Sequence, residues 1–195
     1  MEAIEAILTR RSTRNYKPDA VEPDKLDTIL DAARQTPSGG NNQTNHFLVI
    51  RNKEVLQTLI ELTQTAFSEM EATENTYASL KHSIAASKKG GYVFCYNAPL
   101  LIVVANQKDY GNNMADCACA IENMMVAANA LDLGSCWINQ LRWLNEDPRL
   151  VAYLQSLGMK ENERVYGAVI IGYPANGLPK RNRMTQKGNE ITLID

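Results

Sequence analysis

Four short segments of this sequence concentrate side chains suited to flat or anionic ligands. The first is Arg10-Arg11-Ser12-Thr13-Arg14. Side chains alternate along an extended chain, so Arg10, Ser12 and Arg14 would project to one face. Two guanidinium forks around a hydroxyl match a phosphate ester, because Arg offers planar, bidentate, permanently charged donors. The plainer alternative is a solvated basic stretch after a helix, whose C-terminus also favours cations.

The second segment is Pro37-Ser38-Gly39-Gly40-Asn41-Asn42-Gln43. Glycines let a backbone approach a flat ligand closely. Asn and Gln pair donors with acceptors, as the edge of a pyrimidine-like ring does. An ordinary surface loop would read the same way. The third is Gly134-Ser135-Cys136-Trp137-Ile138-Asn139-Gln140, a strand that could line a ring pocket or simply pack in the core. The fourth, Pro179-Lys180-Arg181-Asn182-Arg183, would either return positive charge to the same phosphate or form a polar tail.

Other chemistry finds little support. The sequence offers no Ser-His-Asp set, no carboxylate pair and no metal-ligand spacing. The only histidines are His46 and His82. Cys95, Cys117, Cys119 and Cys136 form no CxxC pair and sit in apolar stretches, which suggests reduced, buried thiols in a cytoplasmic protein. A net charge of -2 gives no reason to expect a nucleic-acid or membrane partner. The acidic start lacks a signal-peptide pattern, and no long apolar run predicts a membrane span. The 195 residues suit one domain over 1–195.

The elements that must position these segments follow from periodicity. Residues 2–9 and Pro23–Gln35 read as helices, with Pro23 in a first turn. Residues 36–45 read as a loop, His46–Arg51 as a strand, and Lys53 onward as an amphipathic helix capped by Asn52. Residues 69–91 are polar and predict helix plus mobile loop. Pro99–Ala105 reads as a strand buried on both faces. Met114–Leu133 is the longest helix candidate and is apolar almost all round, which places it at the centre of the domain or at a subunit interface. Ala127 and Ala128 are points where a charge would disturb such an interface. Gly134 is expected to end this helix. Residues 135–139 and 165–172 complete the strands, and 147–157 a helix. Ile191–Ile194 could add an edge strand, even to a partner chain. Interspersed strands and helices without Gly-rich phosphate turns indicate an α+β fold with a central mixed or antiparallel sheet wrapped by helices.

Each segment is weak alone, but their order is specific. An opening helix, RRSxR, a helix leading into PSGxNxQ, an Ala-rich helix running into LGSCWI, a Gly172-Tyr173-Pro174 turn and a basic cluster together resemble the nitroreductase family over nearly the whole chain. The resemblance implies an intertwined homodimer binding FMN non-covalently at two identical sites, with NAD(P)H as reductant. By analogy Arg10 and Lys180 or Arg181 hold the phosphate, with Arg183 an alternative. Arg11 and Ser12 contact phosphate and ribityl, and Arg14 lies near the pyrimidine edge. Pro37, Ser38, Gly39, Asn41, Asn42 and Gln43 come from the partner chain or line the ring. Trp137, Ile138 and Asn139 pass near N5, with a donor from the main chain around Ile138 and Asn139.

One departure is visible: Thr44-Asn45 stands where many members have Pro-Trp, so the polarity around the ring is expected to differ. The flavin would carry the chemistry, so no catalytic acid, base or thiol is expected. The implied activity is hydride transfer from NAD(P)H to a small oxidant, such as a nitroaromatic or quinone, by a ping-pong route. Reductive dehalogenation, enoate reduction and a low-turnover FMN redox sensor remain open on the same scaffold.

Overall fold

A computed structural model describes residues 2–177 and 188–194 of the chain. Four strands, β1 (His46–Ile50), β2 (Leu100–Gln107), β3 (Gly134–Ile138) and β4 (Glu163–Gly172), form one sheet in the order β1-β2-β4-β3. Every neighbouring pair is antiparallel. The helices are α1 (Ala3–Thr9), α2 (Pro23–Arg34), α3 (Lys53–Ser68), α4 (Ala78–Lys89), α5 (Asn113–Ala130), α6 (Gln140–Trp143) and α7 (Pro148–Ser156).

The central strands are buried on both faces, as their unbroken apolar runs predict. Leu101, Val103, Ala105, Ala168 and Ile170 face a core completed by Leu59, Phe67, Leu150 and Leu154 from α3 and α7. Leu100, Ile102, Val104, Val169 and Ile171 face the other core, against Ile29 of α2 and Ile121 and Met124 of α5. The register shifts between Val104 and Ala105, so that Val104 pairs with Gly167 and Ala105 with Val165. That bulge lets Val165 and Ala168, three residues apart, share one face.

Local chemistry sets the helix boundaries. Asn52 Oδ1 accepts from the Glu54 and Val55 amides, and Asp147 caps α7 in the same way. Pro23 and Pro148 occupy first turns. The long apolar helix ends earlier than its composition predicts. It stops at Ala130, and Asp132 takes the left-handed position with φ 62°. The Leu133 amide then donates to Ala128 O at 2.8 Å and the Asp132 amide to Asn129 O, a Schellman close. Gly134 is therefore not the helix stop but the first residue of β3.

Two further expectations change and a third holds. Helix α5 is not buried on every side in the single chain: Ala115, Cys119, Glu122 and Asn123 form an exposed stripe. Cys119 is accordingly exposed, whereas the other three thiols are buried. The polar stretch 69–91 holds a helix as expected, α4, packed on α3. Residues 191–194 join no strand of their own chain and are exposed.

Candidate active site

The Arg10–Arg14 segment leaves α1 and runs beside β3. Ser12 forms a parallel bridge with Ser135, and the Thr13 amide donates to Ser135 O at 2.9 Å. Further on, Tyr16 bridges Pro174 and its phenol donates to Thr13 O at 2.7 Å. A Cβ at position 134 would lie 2.5 Å from Thr13 Oγ1, so only glycine permits this approach. Thr13 is buried while Ser12 and Arg14 are exposed, the alternation expected of an extended strip.

The cations of this strip differ in how far the chain already uses them. Arg10 Nε stands 3.7 Å from Glu122 Oε1 on α5. Arg11 folds back, its Nη1 donating to Leu8 O at 3.3 Å and Arg10 O at 2.7 Å. Arg14 forms no ion pair among the described residues. Lys180, Arg181 and Arg183 lie outside the described residues.

β3 carries the third segment alongside. Ser135 turns its carbonyl toward Thr13, and strand alternation turns the main chain of Trp137 the same way, off the sheet edge. Ile138, the next residue, has the opposite phase, so its main chain faces β4 and its side chain is buried in the core. Trp137 Nε1 donates to Asn139 Oδ1 at 2.8 Å, and the Asn139 amide donates to Gln140 Oε1 at 3.1 Å. The main-chain donors expected at Ile138 and Asn139 are thus engaged within the chain, and Trp137 supplies the outward-facing one.

The Pro37–Gln43 loop leads into β1, at the opposite edge of the sheet, and is held against the first turn of α5. A 3-10 turn spans Gly39–Asn41, and Gly40, Asn41 and Gln43 all have positive φ. Ser38 Oγ accepts the Gln43 amide at 3.0 Å, and Gln43 Nε2 donates to Asn41 Oδ1 at 3.0 Å. Pro37, Asn41, Asn42 and Gln43 are exposed. A cleft of about 250 Å³ opens beside Ser38, Gln43, Asn45 and Phe47.

Sequence reasoning missed what anchors this loop. Asp116, buried in the first turn of α5, accepts the Gly39 amide at 3.2 and 3.3 Å. The Tyr110 phenol reaches Gly39 O and Asp116 Oδ2, both at 3.0 Å. A Cβ on Gly39 would collide with Asn112 and Tyr110. The available signal was a lone acid near the start of an otherwise apolar helix. Asn45 is also spent inward: its Nδ2 donates to Asp116 O at 3.1 Å and its Oδ1 accepts Asn106 Nδ2 at 2.8 Å.

The buried thiols are poor nucleophiles. Burial pushes the Cys117 thiol up to about 12 and raises those of Cys95 and Cys136.

Comparison with known proteins matches this arrangement to a family. The model of the nitroreductase family matches residues 7–173. A crystallised nitroreductase from Bacteroides fragilis, with bound FMN, is 38% identical, covers 100% of both chains and superposes with a TM-score of 0.88. A protein of Archaeoglobus fulgidus that carries the provisional name NADH dehydrogenase/NAD(P)H nitroreductase is 31% identical over 89% of this chain and 86% of its own. An FMN reductase (NADPH) of Bacillus subtilis is 25% identical over 94% of this chain and 70% of its own. The chain belongs to the nitroreductase family.

Proposed function

We propose that this chain is an FMN-dependent oxidoreductase that takes hydride from NAD(P)H and passes it to a small oxidant such as a nitroaromatic or quinone. The observation that carries the reading is the strip beside β3: exposed Ser12 and Arg14, with Arg10 at its head, flank the outward main chain of Trp137. These donors fit the group. Ser12 and the guanidinium of Arg10 suit a phosphate, and Arg14 suits the electron-rich edge of a flat ring. When bound, FMN supplies the acceptance and release of hydride. The chain's own task is to bind and orient it, with Arg14 offering positive charge and Trp137 a main-chain donor.

The second motif supports a site shared between two copies. Within one chain the Pro37–Gln43 loop leads into β1, at one edge of the four-stranded sheet, and the Arg10–Arg14 strip runs beside β3, at the other. β1 and the strip are four strand spacings apart, roughly 19 Å. A second copy would bring its loop to the first copy's strip. The exposed stripe on α5, exposed Ile4 and Ile7 on α1, and the exposed Ile191, Leu193 and Ile194 all suit such a partner. Ala128 packs into the chain's own core, so a charge at Ala115 tests this face more cleanly.

Purified protein should be yellow, and NADH or NADPH alone should bleach it until an oxidant restores the colour. Because both substrates use one open face in turn, double-reciprocal plots should be parallel. Sedimentation should show a flavin-loaded dimer that Ala115→Glu dissociates. Colourless protein that takes up no FMN would overturn the reading.

A further inference from the structure

A directed chain of hydrogen bonds joins α4 to the main chain just after β3. Ser83 on α4 donates to Ser79 O at 3.1 Å, so its oxygen accepts from the Tyr92 phenol at 2.9 Å. The Tyr92 oxygen accepts in turn from Gln140 Nε2 at 2.9 Å. Gln140 Oε1 accepts the Asn139 amide at 3.1 Å. With each hydroxyl and amide used once as donor, the chain has a single polarity, from the Asn139 main chain to the Ser79 carbonyl.

Tyr92 is also held from behind. Its amide donates to Gln64 Oε1 on α3 at 2.9 Å, and its ring meets Phe67 edge-on at 6.3 Å. The segment that carries it runs on through Tyr96 and Asn97, both with positive φ. Such backbone is strained for residues other than glycine and persists where the surroundings enforce it. Burial raises the phenol's pKa, which keeps it a neutral donor across the working range.

We infer that Tyr92 and Gln140 are positioning residues that couple helix α4 to the main chain at Asn139 and so set the hydrogen bonding at the reactive edge of the flavin. This rests on the flavin reading above. The physical content is a choice for the Asn139 amide. While Tyr92 holds Gln140 in place, that amide is spent within the chain and Trp137 is left to face the ring. When the Tyr92 contact is lost, Gln140 turns away and a second donor is released beside the ring. An oxidant that shifts α4 on entering would act on the flavin through the same bonds.

The test begins with FMN-loaded wild type bleached by NADH or NADPH. Failure to load or bleach overturns the flavin reading itself. In loaded protein, Tyr92→Phe should keep its flavin content, displace the flavin's visible absorption band and change the bleaching rate about fivefold, the scale of one net hydrogen bond. Gln140→Ala should show the same signature. Should Tyr92→Phe fail to fold, Ser83→Ala removes the acceptor at the far end and is read in the same way. A loaded Tyr92→Phe with wild-type spectrum and rate overturns the coupling, even if its melting temperature falls.

Discussion

The two polar motifs of this chain, one cationic and one uncharged, differ in what the fold leaves them free to do. The loop at 37–45 is rich in Asn, Gln and Gly, yet much of its hydrogen bonding turns inward. Gly39 is held by Asp116 and Tyr110, Gln43 by Ser38, and Asn45 by α5 and Asn106. The Arg10–Arg14 strip is tied down by its backbone and by buried Thr13, and it presents Ser12 and Arg14 outward. One motif is polar mainly to hold its own shape, and the other to meet something else. Polar composition alone does not separate these roles. Which donors remain unspent after folding does.

The largest expected effect breaks the loop. Asp116→Ala strands a main-chain amide and a phenol in partly buried surroundings, a loss of about 3 kcal/mol in chemical denaturation. A change under about 0.5 kcal/mol, the usual surface scale, would mean the loop is not anchored there. Arg14→Ala should do the reverse. Folding stability should stay within about 0.5 kcal/mol, while FMN binding measured by fluorescence titration weakens by roughly 1.5–3 kcal/mol. Unchanged affinity would remove Arg14 from the site.

A smaller effect lies at the loop's exit. His46 Nδ1 meets Glu163 Oε2 at 2.7 Å, where β1 leaves the loop. Burial pushes the Glu163 carboxyl up, but hydrogen bonds from His46 and the Lys160 amide outweigh it and hold the group below its ordinary 4.5. A carboxylate with a depressed folded-state pKa contributes stability that is full above the unfolded value and lost as pH falls through the folded one. Stability should therefore decline as pH drops below about 4.5. Glu163→Gln should make that decline shallower, as read from denaturation midpoints at several pH values. Glu69 and Asp147, lowered chiefly by hydrogen bonds from Arg149, leave part of the slope in place. The smallest effect concerns Cys117. With its thiol near 12, Cys117→Ser should leave flavin bleaching by NAD(P)H unchanged.

Local signals carried much of this far. Periodicity located β1, α2 and α3, and Asn52 marked the start of α3 correctly. The apolar run at 99–105 read as a strand buried on both faces, and β2 is one, starting a residue later and running two further. Other features depend on residues distant in the chain. Gly134 looked like a helix stop because Leu133 and Gly134 follow an apolar run, and its real reason, the approach of Thr13, spans 121 positions. The exposed side of α5 escaped notice because Ala and Cys give no amphipathic contrast. Asp116 and the Ser83-Tyr92-Gln140 chain were invisible for the same reason: each joins segments that only the fold brings together.

The outer edge of β1 has one more consequence. Among the described residues nothing pairs with it, and its sequence, His46-Phe47-Leu48-Val49-Ile50, has no acidic residue, proline or glycine. Bare backbone donors and acceptors along a short apolar strand are a template for any strand that arrives. A lone copy of this chain thus carries an aggregation hazard at the strand that exits its polar loop. Whatever covers that edge protects solubility as well as shape, and losing the cover should show first as cloudiness at high protein concentration.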